Sequence, residues 1–249
     1  MNLSEYVNID INMARSVNLE RDISENTTLK DYQVTTKCRE ILSRFVSGLG
    51  GEKVSAWSLT GPYGMGKSAF ANFLMAIAGL NTQEAKIALK KLRENDAELE
   101  QALNKNIKKR TGGKGFLRVP LTAAYEPINR SLVSGLARAL KSEYNDTPKK
   151  RSLVHLRDQV QKLSSHEHPE TQAVVEVFNA TQKIFGVPIL LIVDEFGKNL
   201  EYMAHHPDKG DIYIMQLLAE ASNLYIWVCL HQAFDGYAIG LTAQQRQEW

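Results

Sequence analysis

The stretch Gly61-Pro62-Tyr63-Gly64-Met65-Gly66-Lys67-Ser68 sets three glycines, a lysine and a hydroxyl in the order G-x-x-x-x-G-K-[ST]. Glycines at that spacing let the backbone wrap closely, so that consecutive N–H groups point at the oxygens of a phosphate chain. A helix opening directly after the loop would turn its positive dipole end to the same anion. Lys67 is then expected to reach the β- and γ-phosphates, and the Ser68 hydroxyl to ligate magnesium. Four fixed positions at average residue usage recur by chance in roughly 1% of chains this long.

A second chemical signal lies far downstream. Ile189 to Val193 are five apolar residues in a row, and Asp194-Glu195 follow at once. Asp194 is expected to hold magnesium through water, completing the shell begun by Ser68. Glu195 stands one residue further, where a carboxylate orients and polarises a water for in-line attack on the γ-phosphate. The pair favours water as acceptor over the hydroxyl acceptor of small-molecule kinases, and no base-reading Asn-Lys-x-Asp of GTPases is present. Magnesium-dependent ATP hydrolysis is the expected reaction, with ATP and magnesium as its ligands.

These groups must be carried by a strand before each and a helix after. "KVSAWSLT" reads as a strand feeding the glycine loop, and Phe70, Phe73, Leu74 and Ile77 mark one face of the helix beyond it. "FLRVPLTAA" (Phe116 to Ala124), "VPILLIVDEFG" and "LYIWVCLHQ" read as further strands, the last two apolar throughout, as expected for a parallel sheet covered on both faces. Between them lie helical patterns: Ile41 to Leu49, capped by Thr35 or Thr36 and stopped by Gly50-Gly51; a charged hairpin or one long helix from Thr82 to Arg110; a helix opening at Pro127; and stretches at Ser152 to Ser164, Pro169 to Phe185 and within "GDIYIMQLLAEASNL". "NDTPKKR" is a surface turn and "TAQQRQEW" a polar terminal helix. The alternation predicts an α/β fold, three layers with a mainly parallel sheet and helical insertions. Residues up to Asp31 read as a polar, irregular arm, and 32–249 as the core.

With both motifs in place, the chain resembles the AAA+ and STAND branch of P-loop ATPases, which carries an additional strand between the two motif strands; "FLRVPLTAA" is expected to be that strand. The resemblance implies that "LYIWVCLHQ" is the strand whose polar tip senses the γ-phosphate, with His231 and Gln232 as equal candidates. It also implies that "DYQVTTKC" folds over the adenine, so that Tyr32 to Thr35 pack on the base. Conformational change in a homo-oligomer or larger assembly would be the output. "DEFGKNLEY" has the look of large bacterial ATPases of genome-conflict or antiviral defence type. The family core also has a fifth strand and a helical lid that bring an arginine to the nucleotide; neither is legible before Trp249, and Arg246, in a polar helix, does not suit that role.

Composition bounds the rest. Lysine and arginine number 30 against 28 acidic residues, so a nucleic-acid contact would need a local patch. Lys105, Lys108, Lys109, Arg110, Lys114 and Arg118 form one such cluster and Lys149-Lys150-Arg151 a second, each equally a solvated helix end. Cys38 and Cys229 read as reduced core thiols, and His166, His168, His205 and His206 as surface histidines. No apolar run approaches the ~18 residues that suggest a membrane span, and no leader pattern opens the chain; a cytoplasmic protein is expected. Two other functions fit the same residues: a nucleotide-gated scaffold with little turnover, and a nucleic-acid remodelling ATPase.

Overall fold

A computed structural model of the protein describes residues 17–22, 26–51, 54–142, 151–209 and 212–238. Four strands, β1 (Ala56–Thr60), β2 (Leu117–Thr122), β3 (Ile189–Asp194) and β4 (Leu224–Leu230), form one all-parallel sheet in the order β1-β4-β3-β2. β3 and β4 are buried at every position, which is why their sequences show no alternation. The strand lying between the two motif strands in space is therefore β4. β2, which precedes β3 in the chain, sits at the far edge beside it.

That edge position explains a proline within a strand. Pro120 lies opposite Ile192 and has no N–H to give, which an edge strand tolerates. One turn of helix covers the end of the same edge: Glu20 accepts the Thr122 N–H at 2.8 Å and pairs with Arg138 at 2.8 Å. The N-terminal stretch is thus helical where described, as α1 (Leu19–Asp22) and α2 (Asn26–Asp31), and packs on this chain. Leu19 and Leu29 are fully buried, but two leucines ten residues apart give no helical period to read.

One face of the sheet carries α3 (Thr36–Gly50), α4 (Lys67–Ala78), α5 (Gln83–Asn95) and α6 (Ala97–Thr111). Thr35 caps α3 by accepting the Cys38 N–H, and Phe45 from that helix meets Trp57, Tyr225 and Trp227 edge-on. Such aromatic pairs contribute roughly 0.5–1.5 kcal/mol each beyond their burial. The charged stretch from Thr82 resolves into a hairpin because Asp96 is extended and caps α6 through Leu99 N–H. Its return to the sheet runs through Gly115 (φ +82°), where an added Cβ would meet the Ala78 and Gly79 carbonyls at 2.9 Å.

The other face carries α7 (Ile128–Ser142), α8 (Arg151–Ser165), α9 (Thr171–Phe185), α10 (Gly197–His205) and α11 (Tyr213–Glu220), with Tyr237 of α12 (Phe234–Tyr237). Two cores, one on each side of the sheet, make three layers. The turn at 145–150 and the terminal helix with Arg246 and Trp249 lie outside the described residues. Among the described residues no helix is long and apolar enough to cross a membrane.

Candidate functional site at the carboxyl ends of the strands

Because the strands are parallel, the ends of β1, β4 and β3 lie side by side along one edge of the sheet. β1 is followed by α4 on one face, while β4, its neighbour, runs on to α12 on the other. Chains diverging in this way leave a crevice beyond the strand ends, the usual place for a ligand in an open α/β sheet. Three segments meet there: the Gly61 loop, His231 and the Asp194-Glu195 pair.

The loop is tied to the central strand by Gly61 N–H, which donates to Leu230 O at 3.1 Å. Gly64 (φ +81°) and Gly66 (φ +80°) are left-handed, and a Cβ built on either meets nothing within 4 Å. The glycines here answer a backbone conformation and keep the cradle open to a ligand. Lys67 opens α4 and is buried, its ammonium donating to Gly61 O (2.5 Å) and Pro62 O (2.9 Å) and lying 3.4 Å from His231 Nδ1. Ser68, half-buried, follows in the first turn. Tyr63 stacks on the His231 ring with centroids 3.5 Å apart, while Met65 stays largely exposed.

His231 and Gln232 separate in space. His231 faces Lys67, its Nε2 is buried with no hydrogen-bond partner, and its N–H donates to Tyr237 Oη at 3.2 Å. Burial and then the Lys67 charge hold its pKa below the usual imidazole value, so the ring is neutral at pH 7. Gln232 is exposed and packs against Gly236 instead.

Asp194 is buried and accepts the Glu195 N–H at 2.9 Å, and burial and then that carboxylate push up the pKa of the Cys229 thiol. Glu195 is a non-glycine residue in the left-handed region (φ +54°), a conformation that costs on the order of 1–3 kcal/mol and is held only where neighbours fix it. Its carboxylate forms an ion pair with Lys198, three residues on. α10 is anchored in turn by the buried Asn199, whose amide reaches Ala124 O, Glu126 O and Ser131 Oγ.

A cavity of about 300 Å³ adjoins the loop on the α3 side, lined by Tyr32, Thr35, Cys38, Ile41, Met65 and Phe70 among others. Tyr32 stacks on Phe73 at 4.4 Å, which fixes its ring as a wall. Burial raises the pKa of Tyr32 and of Cys38. A larger cavity of about 390 Å³ along β1 and α11 is lined by no carboxylate, lysine or histidine.

The donor set suits the groups that the sequence implies. An open glycine cradle and the orphaned His231 Nε2 suit phosphate oxygens. One hydroxyl and one or two carboxylates suit magnesium, which keeps several waters and needs no all-protein cage. Among the described residues no group of three or more His, Cys, Asp or Glu side chains is arranged to hold a metal. His166, His168 and His205 are exposed, as expected, and His206 stacks on Tyr202. Of the basic cluster, Arg118 is buried and Arg110 gives its Nε–H to Leu49 O at 2.7 Å, while lysines 105, 108, 109 and 114 show no such tie among the described residues.

Sequence reasoning did not single out Lys198, the Cys229 thiol or the stack of Tyr63 on His231. Lys198 had a legible signal, since it follows the acid by one helical turn. The other two arise from strand order, which no local pattern encodes. Comparison with protein-family models, with curated proteins and with solved structures finds no match to this chain.

Proposed function

We propose that the chain is a magnesium-dependent ATPase of the P-loop type that resembles the AAA+ and STAND branch. The observation that carries the reading is the strand order β1-β4-β3-β2, which gathers the Gly61 loop, His231 and the acidic pair at one crevice. In this reading the loop amides and Lys67 bind the phosphates, Lys67 exchanging the Gly61 and Pro62 carbonyls for phosphate oxygens. The neutral His231, its Nδ1 facing the Lys67 ammonium, donates its Nε2–H to a γ-phosphate oxygen. The base enters the cavity bounded by Tyr32 and Phe70. Magnesium, held by Ser68 and Asp194, would offset charge on the β- and γ-phosphates. Glu195 accepts a proton from the attacking water as the new P–O bond forms and the bridging P–O bond to ADP breaks.

Glu195→Gln tests this assignment, because it keeps size and hydrogen bonding and removes only the base. ATP binding is expected to persist while turnover falls by about 10²–10⁴. Turnover at the parental rate would reduce Glu195 to an acid that merely ends a strand.

A second reading, a nucleotide-gated switch with little turnover, is favoured by Lys67 being tied to its own loop and by the Tyr63 ring covering His231. Single-turnover hydrolysis across protein concentrations separates the two. A rate that stays negligible at every concentration while ATP binds supports the switch.

A further inference from the structure

We propose that Lys198 is the positioning residue of the Glu195 carboxylate, holding one oxygen so that the other is presented to water. The inference rests on the ATPase reading above. Asp194 and Glu195 are adjacent at the end of β3. The ammonium of Lys67 is directed to Gly61 O and Pro62 O, and Asp194 has a partner of its own in Glu195 N–H. The cation that touches Glu195 is Lys198, through its side chain.

Lys198 also holds the backbone of the same residue. Its N–H donates to Glu195 O at 3.0 Å, while Glu195 N–H donates to Asp194 Oδ1 at 2.9 Å. Glu195 is therefore fixed at its N–H, its carbonyl and its carboxylate, which is what a left-handed glutamate requires. Asn199, the next residue, anchors the first turn of α10 to the Ala124 and Glu126 carbonyls, so Lys198 itself projects from a fixed base. The charge of Lys198 reaches His231 as well, where it adds to that of Lys67 in favouring the neutral ring.

Both side chains of this pair are partly exposed, and exposed ion pairs contribute little to folding. Its consequence is orientation. A catalytic group misplaced by about 1 Å loses on the order of 10² in rate.

The test compares the parent chain with K198M, K198R, E195Q and the double variant K198M/E195Q, measuring ATP affinity by titration and hydrolysis in single turnover. K198M is expected to bind ATP with parental affinity and to hydrolyse it about 10–10² times more slowly. K198R restores most of the rate, and K198M has no further effect in the E195Q background. A parental or faster rate in K198M overturns the proposal, as does an equal loss with and without Glu195. A fall in ATP affinity also overturns it, because Lys198 would then touch the nucleotide. A parent that binds ATP and never hydrolyses it removes the ATPase reading and this inference together; a parent that hydrolyses ATP beside an unaffected K198M removes the inference alone.

Discussion

At the end of β4 two polar residues are candidates for one proposed role, and their surroundings differ. His231 has a buried, unpartnered Nε2 and a neighbour 3.4 Å away in Lys67, whereas Gln232 is turned to Gly236. A buried polar atom without a partner carries a cost that a ligand can relieve. His231→Ala is therefore expected to lower ATP turnover by about tenfold or more, one lost hydrogen bond to a charged group being worth roughly 1.5–3 kcal/mol. Gln232→Ala leaves the rate within about twofold, since exposed positions away from special features contribute little. Steady-state assays of the two variants check the pair, and the reverse order of effects would assign the sensing role to Gln232. The sequence could offer both residues only as equals, because neither the strand's apolar run nor its tip says which way a side chain turns.

Among the elements, strands and helices with strong periods were legible and the joints between them were not. β3, β4, α4 and α7 lie within a few residues of the expected bounds, because long apolar runs and 3.6-residue spacing reflect burial directly. α1 was not legible, since a single turn held by Leu19 and by Glu20 on the β2 edge depends on contacts a hundred residues away. The position of β4 between the motif strands was equally hidden, because chain order and sheet order differ here. Gly115 shows what such a joint demands. It combines a left-handed φ with carbonyls 2.9 Å from any added Cβ, at the point where the helical hairpin rejoins β2. Gly115→Ala is expected to destabilise the fold by at least ~1–2 kcal/mol through its left-handed backbone alone, with more from the contact with the end of α4. Urea unfolding measures it, and a midpoint equal to the parent's at unchanged slope would show that the approach is relaxed.

For the whole molecule, the central claim is that one crevice at the carboxyl ends of a parallel sheet binds ATP with magnesium. The glycine loop with Lys67, the α3 wall of the cavity beside it, and His231 lie in different segments, so the site exists only in the folded chain. A ligand bound only by the native state stabilises it by about 2.7 kcal/mol at a hundred times its Kd. For a chain of this size that corresponds to roughly 5–10 °C in Tm. The most direct measurement is a calorimetric titration of magnesium-ATP into the parent chain and into Lys67→Ala, with melting curves of each to confirm folding. The account predicts saturable binding near one ATP per chain in the parent, and affinity lost or severely weakened in a folded Lys67→Ala variant. Equal affinity in the two proteins would contradict it.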